Sequence, residues 1–299
     1  MIDTEEECTL DFKFSLLDDD SELIIGYCND IAGLDGSGYI NESSKHRILL
    51  KQFIFCNEFK EYIVRRKESF CRLVYICIVD RNKDILANFS FAIDDNIYYH
   101  KEGFPSSPTD LSLIGSLESI VSNEELGIWE LWRNSPPSKI NEWAKLNENG
   151  RRAWLKVVTK SNLNKVFLDS KETKEETFYL DGAHIRDYAS FFCALGESIN
   201  GPGGYFGFDF NSLIDCLHGG FGAVSPFTLI WTNYKVAEHC LDVQAWEKEI
   251  KYRSNEYSGE EPFFVDFLLA PSFMQDTTFN LDWLQTSQGF FLKRYEYTR

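Results

Sequence analysis

Asn211, Asp215 and His218 recur at spacings of four and three residues, which sets all three on one side of a short helix. An acid held on a helix surface accepts strong charge-assisted hydrogen bonds from the Arg, Lys or His groups it meets. Directly before it runs Gly203-Gly204-Tyr205-Phe206-Gly207, where glycines beside an aromatic pair read as an exposed, shaped loop. Tyr205, Phe206, Gly207, Asn211, Asp215 and His218 are therefore the candidate binding residues. Asp209 is placed to cap the helix and Gly219-Gly220 to stop it. Phe210, Leu213, Ile214 and Leu217 fall at i, i+3, i+4 and i+7, so they form its buried stripe. Loop and helix together have the form of something inserted into a partner.

Catalysis finds no comparable signal. The eight cysteines (Cys8, Cys28, Cys56, Cys71, Cys77, Cys193, Cys216, Cys240) include no C-x-x-C pair and no zinc-ligand spacing. Most lie in apolar runs, as buried free thiols do. No nucleophile elbow or phosphate loop appears, and the expectation is a protein with neither metal nor cofactor. Asp18-Asp19-Asp20 lacks the alternating ligands of a calcium loop and reads as a solvated turn. His218, near a helix C-terminus, is favourable for the helix dipole by itself.

The charge narrows the partner. Forty-seven acidic against 30 basic residues give a net charge of −17. Such a surface disfavours direct nucleic-acid or anionic-membrane binding and favours a basic partner. No run approaches the roughly 20 apolar residues that span a bilayer. The acidic start, Met1 to Glu7, has no apolar signal core, so the expected compartment is the reducing cytoplasm.

At 299 residues the chain has room for two domains. Leu10 to Leu17 and Glu22 to Cys28 suggest one hairpin, Leu73 to Val79 and Ile85 to Ile93 a second, and Ile48 to Phe55 a further strand. Asp30 to Ser44 reads as loop. Asp110 could cap a helix carrying Leu113, Ile114, Leu117 and Ile120. Pro136-Pro137-Ser138 could open another, with Ile140, Trp143 and Leu146. These elements predict an α+β domain over residues 1–170, ending in the polar segment Asp169 to Glu176.

Beyond it, Thr177 to Leu180, Phe227 to Trp231 and Phe263 to Leu269 are short apolar strands. Helices capped by Asp187 and Asp242, and another over Asn233 to Leu241, separate them. That order predicts an α/β domain over residues 171–299, with a small three-stranded parallel sheet.

Two stretches here carry a resemblance. Leu180-Asp181-Gly182-Ala183-His184-Ile185-Arg186 is one. The other is Pro202-Gly203-Gly204-Tyr205-Phe206-Gly207 with Asn211, Leu213, Asp215, Cys216 and Leu217. Both are similar to the first strand, binding loop and second helix of the barstar family of intracellular ribonuclease inhibitors, over about Thr177 to Leu269. The resemblance implies that Tyr205, Gly207 and Asp215 contact a nuclease, with Asp215 entering the site where a substrate phosphate would sit. Four positions depart from the family type. Phe206 stands in place of a second tyrosine, Asn211 in place of a second aspartate, Ile214 in place of a tryptophan, and Gly220 in place of an aromatic. The net charge of residues 177–240 stays acidic, with Asp181, Asp187, Glu197, Asp209, Asp215 and Glu238 against Arg186 and Lys235. A further binding acid is expected after Asp242, either Glu247 or Glu249.

The resemblance implies an immunity protein that is not an enzyme, one that occludes the active site of a cognate bacterial toxin with a basic cleft. A ribonuclease is the first expectation. An NAD-using ADP-ribosyltransferase handles phosphate in a similarly basic cleft, and a regulatory interaction module with no toxin is the alternative from another class.

Overall fold

The computed structural model describes residues 11–40, 45–66, 70–98, 104–105, 107–163, 173–174, 177–224, 227–256 and 291–295. The chain forms two compact units, Met1–Ser135 and Pro136–Arg299.

The first unit comprises β1 (Phe14–Asp18), β2 (Ile24–Cys28), β3 (Asp30–Ala32), β4 (Tyr39–Ile40), β5 (Lys45–Phe55), α1 (Asn57–Arg65), β6 (Phe70–Val79), β7 (Ile85–Tyr98), β8 (Thr109–Leu117) and α2 (Asn123–Asn134). The strands follow the order β2-β1-β6-β7-β8-β5, and β5 pairs back onto β2 through Tyr27↔Ile54 and Gly26↔Phe55. The antiparallel sheet thus closes on itself, and closure leaves no unpaired edge among these six strands. Opposed residues on one face, Phe14, Leu16, Ile76, Ile78, Ala87, Phe89 and Phe91, are all buried.

Both expected hairpins are present, as β1/β2 and β6/β7. The helix expected after Asp110 is not: that stretch is β8, paired with β5 on one side and β7 on the other. Leu111 and Leu113 alternate as well as Leu113 and Leu117 repeat. The barrel decides between the two periods, since a helix here would open two strand edges. The helix of this region comes later, as α2. Ser122 accepts from the Glu125 backbone N–H while the Glu125 carboxylate accepts from that of Ser122. That capping box was visible as Ser122-Asn123-Glu124-Glu125.

The second unit holds α3 (Glu148–Leu163), β9 (Thr173–Lys174), β10 (Thr177–Asp181), α4 (Tyr188–Asn200), α5 (Phe210–Leu217), β11 (Ala223–Val224), β12 (Thr228–Thr232), α6 (Tyr234–Cys240), α7 (Val243–Glu256) and β13 (Phe291–Tyr295). β10 and β12 form a small parallel sheet, and β13 runs parallel to the other side of β12. The strand expected at Phe263 to Leu269 lies outside the described residues. Instead of a helix from Pro136 there is one 3-10 turn, Glu142–Lys145, because Asn141 takes a left-handed φ of 65°.

The core of this unit is α4, buried at every residue from Tyr188 to Glu197. A helix apolar on all sides must be covered on all sides. β10 and β12 cover it with Leu180 and Trp231, α5 with Phe210, and α7 with Trp246. α3 covers it as well, and Arg151 on α3 holds the α4 cap, Asp187, at 2.8 Å from Nε. Glu197, 6% exposed, accepts from the Asn141 N–H at 2.7 Å, the Trp143 Nε1–H at 2.9 Å and the Gly203 N–H at 3.2 Å. Burial holds its carboxyl above the usual carboxylate range despite these donors. These contacts place residues 136–163 with the second unit, so the division falls at Ser135/Pro136 and not in the expected polar segment near 170.

Two stability predictions follow from the buried ions. The Arg133 side chain, 2% exposed, donates to the carbonyls of Val79 at 2.6 Å and Phe12 at 2.8 Å. Arg133→Met should strand both acceptors and destabilise the barrel by at least about 2 kcal/mol in urea unfolding; an unchanged midpoint would refute the role. Glu197→Gln keeps the shape but turns an amide N–H₂ toward one of three N–H donors. It should cost about 1–3 kcal/mol, read as a lower melting temperature of the second unit. An unshifted melt would remove Glu197 as the brace.

Candidate functional site

α5 is short but pinned at both ends. Asp209 Oδ1 accepts from the Ser212 N–H at 2.7 Å, and Ser212 Oγ accepts from the N–H groups of Asp209 at 3.0 Å and Phe208 at 2.8 Å. Arg253 on α7 reaches the same end, 3.2 Å from Asp209 Oδ2, and donates to the Phe208 carbonyl at 3.3 Å. Asp209 is thus a cap, as its position before the helix implied, and its charge is matched. At the other end His218 and Gly219 donate N–H groups to Asp215 and Cys216, and Gly219 takes a φ of 106°.

The buried stripe of α5 is Phe210, Leu213, Cys216 and Leu217. Ile214, expected within it, is only half-buried and joins Asn211, Asp215 and His218 on the outer side. Asp215 and His218 are exposed and Asn211 is half-buried. His218 Nδ1 lies 2.8 Å from the Ile214 carbonyl, so one ring nitrogen is engaged by its own helix.

Tyr205 and Phe206 correct the expectation of an exposed aromatic pair: they are 6% and 0% exposed. Gly207 is buried beside them. The neighbouring glycines serve close packing, not display. A Cβ on Gly196 of α4 would meet the Gly204 carbonyl oxygen at 2.2 Å, so the loop lies directly against the helix and turns its rings inward. Phe206 packs on Phe227 and Tyr205 on Phe221. Burial under α5 raises the pKa of the Tyr205 hydroxyl. Burial likewise pushes the Cys216 thiol up to about 12, which keeps it protonated and inert.

Of the two acids expected after Asp242, Glu249 is excluded from contact. It is 3% exposed and takes Arg152 at 2.6 Å and Arg253 at 2.9 Å. Glu247 is exposed. The network Arg152–Glu249–Arg253–Asp209 joins α3, α7 and the start of α5, and composition alone does not reveal it. Glu197 was legible as the only acid within an apolar helix, but its three donors were not.

Among the described residues no group of three or more His, Cys, Asp or Glu is gathered as a metal site requires, and Cys28, Cys56, Cys77, Cys193, Cys216 and Cys240 are free thiols. No helix among them is long and apolar enough to cross a membrane. What the site offers is one outward carboxylate, an amide and an imidazole on a rigidly seated helix. That arrangement suits recognition of a cationic surface.

Comparison with known proteins agrees over part of the chain. Residues 175–252, from just before β10 into α7, match the family model described as Barstar (barnase inhibitor). No curated protein and no solved structure matches the chain. The C-terminal part of this protein therefore carries a barstar-like segment at residues 175–252.

Proposed function

We propose that this protein is an immunity protein whose barstar-like domain plugs the active site of a cognate toxin, a ribonuclease, in the cytoplasm of the cell it protects. One observation carries the reading: within the segment matching a barnase-inhibitor family, Asp215 stands exposed on a helix pinned at both ends. A ribonuclease site gathers Arg, Lys and His to stabilise phosphate, and a preset carboxylate pairs with those groups at little ordering cost. Asn211, Asp215 and His218 make the contact, with Ile214 beside them. Tyr205, Phe206 and Gly207 act from beneath, as the floor on which α5 rests. The chain blocks its partner by occlusion and performs no chemistry on it. Its net charge of −17 speeds the encounter with a basic partner and repels nucleic acid itself. The barrel of the first unit widens the interface or fixes which toxin is accepted.

The test begins with purifying the chain from its native source together with whatever ribonuclease accompanies it, and measuring their affinity. Asp215→Ala should weaken binding at least tenfold with the melting temperature unchanged. Central anchors cost about 2 kcal/mol or more, a range to which the barnase–barstar complex itself contributes. A loss within twofold, in a folded variant, sinks the plug. Raising salt should slow association while leaving dissociation nearly constant; an association rate indifferent to salt would remove the steering role of the acidic surface.

A further inference from the structure

Asn200 ends α4, and its carboxamide stands between the two loops that frame α5. Nδ2 donates to the carbonyl of Tyr205 at 2.7 Å, on the chain before α5, and to that of Phe221 at 2.8 Å, on the chain after it. Both protons of the amide are thereby used. Gly222 confirms how tight the fit is: a Cβ there would lie 2.0 Å from Asn200 Oδ1, and its φ is +100°. Asn162 adds a bond from α3 to the same loop, Nδ2 to the Gly203 carbonyl at 3.3 Å.

α5 has eight residues, too few to hold a helix by their own hydrogen bonds. Its direction is therefore set by its flanks and its floor. Arg253 fixes the N-terminal flank through Asp209 and the Phe208 carbonyl. Asn200 closes the loop of chain that contains α5, from Tyr205 to Phe221, at a single point. A small swing of α5 about that closure would carry Asp215 sideways, and charge-assisted bonds are lost when geometry slips by about an ångström.

We infer that Asn200 is a positioning residue for the binding face: it fixes α5, and through α5 the Asp215 carboxylate, without meeting the partner. The link to binding rests on the inhibitor reading above; the link to α5 does not.

Two variants of the full-length chain separate these links. Asn200→Asp keeps the shape and removes both donors. Gly222→Ala leaves Asn200 in place and drives a methyl group into its amide. In amide hydrogen exchange of the free protein, each should speed exchange across α5 at least about tenfold while α4 keeps its protection. Unchanged α5 protection in both variants would overturn the inference. Inhibition of RNA cleavage by barnase, as the probe, then supplies a double-mutant cycle with Asp215→Ala. Asn200→Asp should weaken inhibition at least about tenfold in the wild-type background and scarcely at all beside Asp215→Ala. Additive losses would mean that Asn200 acts on binding by some route other than Asp215, which also overturns it. If the wild-type chain inhibits no ribonuclease, the inhibitor reading fails, and exchange alone decides whether Asn200 holds α5.

Discussion

One of the two buried carboxylates among the described residues of the second unit, Glu197, sets how its turn and glycine loop pack on α4. Glu197 takes hydrogen bonds from the 3-10 turn at Asn141 and Trp143 and from the glycine loop at Gly203. A carboxylate moved out of water is costly unless its lone pairs are filled, and here three N–H groups from two segments fill them. The loop that leads into α5 is consequently pressed onto α4, and the rings of Tyr205 and Phe206 have nowhere to go but inward. That ion and the fully buried Trp143 ring together hold the turn at 141–145 against α4.

The same constraint explains why residues 136–163 lie outside the family match yet inside the folded unit. α3 supplies Arg151 to the cap of α4 and Arg152 to Glu249. Family likeness and physical domain are thus different divisions of the chain. The matched segment carries α5, and the segment before it supplies two of the cations that pair with the surrounding acids. Of the acids near α5, Asp209 is paired with Arg253 and Glu249 with Arg152 and Arg253, and Asp215 is left facing outward.

Much of this architecture was legible from residue pattern. Capping residues Asp187, Asp209 and Asp242 open helices where they were expected to, and the two hairpins of the first unit follow their turn residues. The helical side bearing Asn211, Asp215 and His218 is outward, as spacing required. What escaped was set by partners distant in sequence. β8 is a strand because β5 and β7 flank it. Tyr205 and Phe206 are buried because Gly196, nine residues earlier than Tyr205, allows the backbone to come close. Ile214 and Cys216 exchange places because the floor of α5 lies under one edge of its apolar stripe and not the other. Periodicity says that a helix has two sides; it does not say where the boundary between them falls.

The closed barrel of the first unit has a consequence for how the chain can be handled. It consists of two three-stranded sheets, β1-β2-β5 and β6-β7-β8, joined at two seams, β1/β6 and β5/β8. Each sheet is nearly contiguous in the chain, whereas each seam joins strands some sixty residues apart, so the slow step of assembly is the meeting of the two halves. Until they meet, four strand edges are open to any neighbouring chain. A cut in the connection near α1 would leave two sticky half-barrels, and a newly made chain is most prone to aggregate between the synthesis of β6 and the arrival of β8.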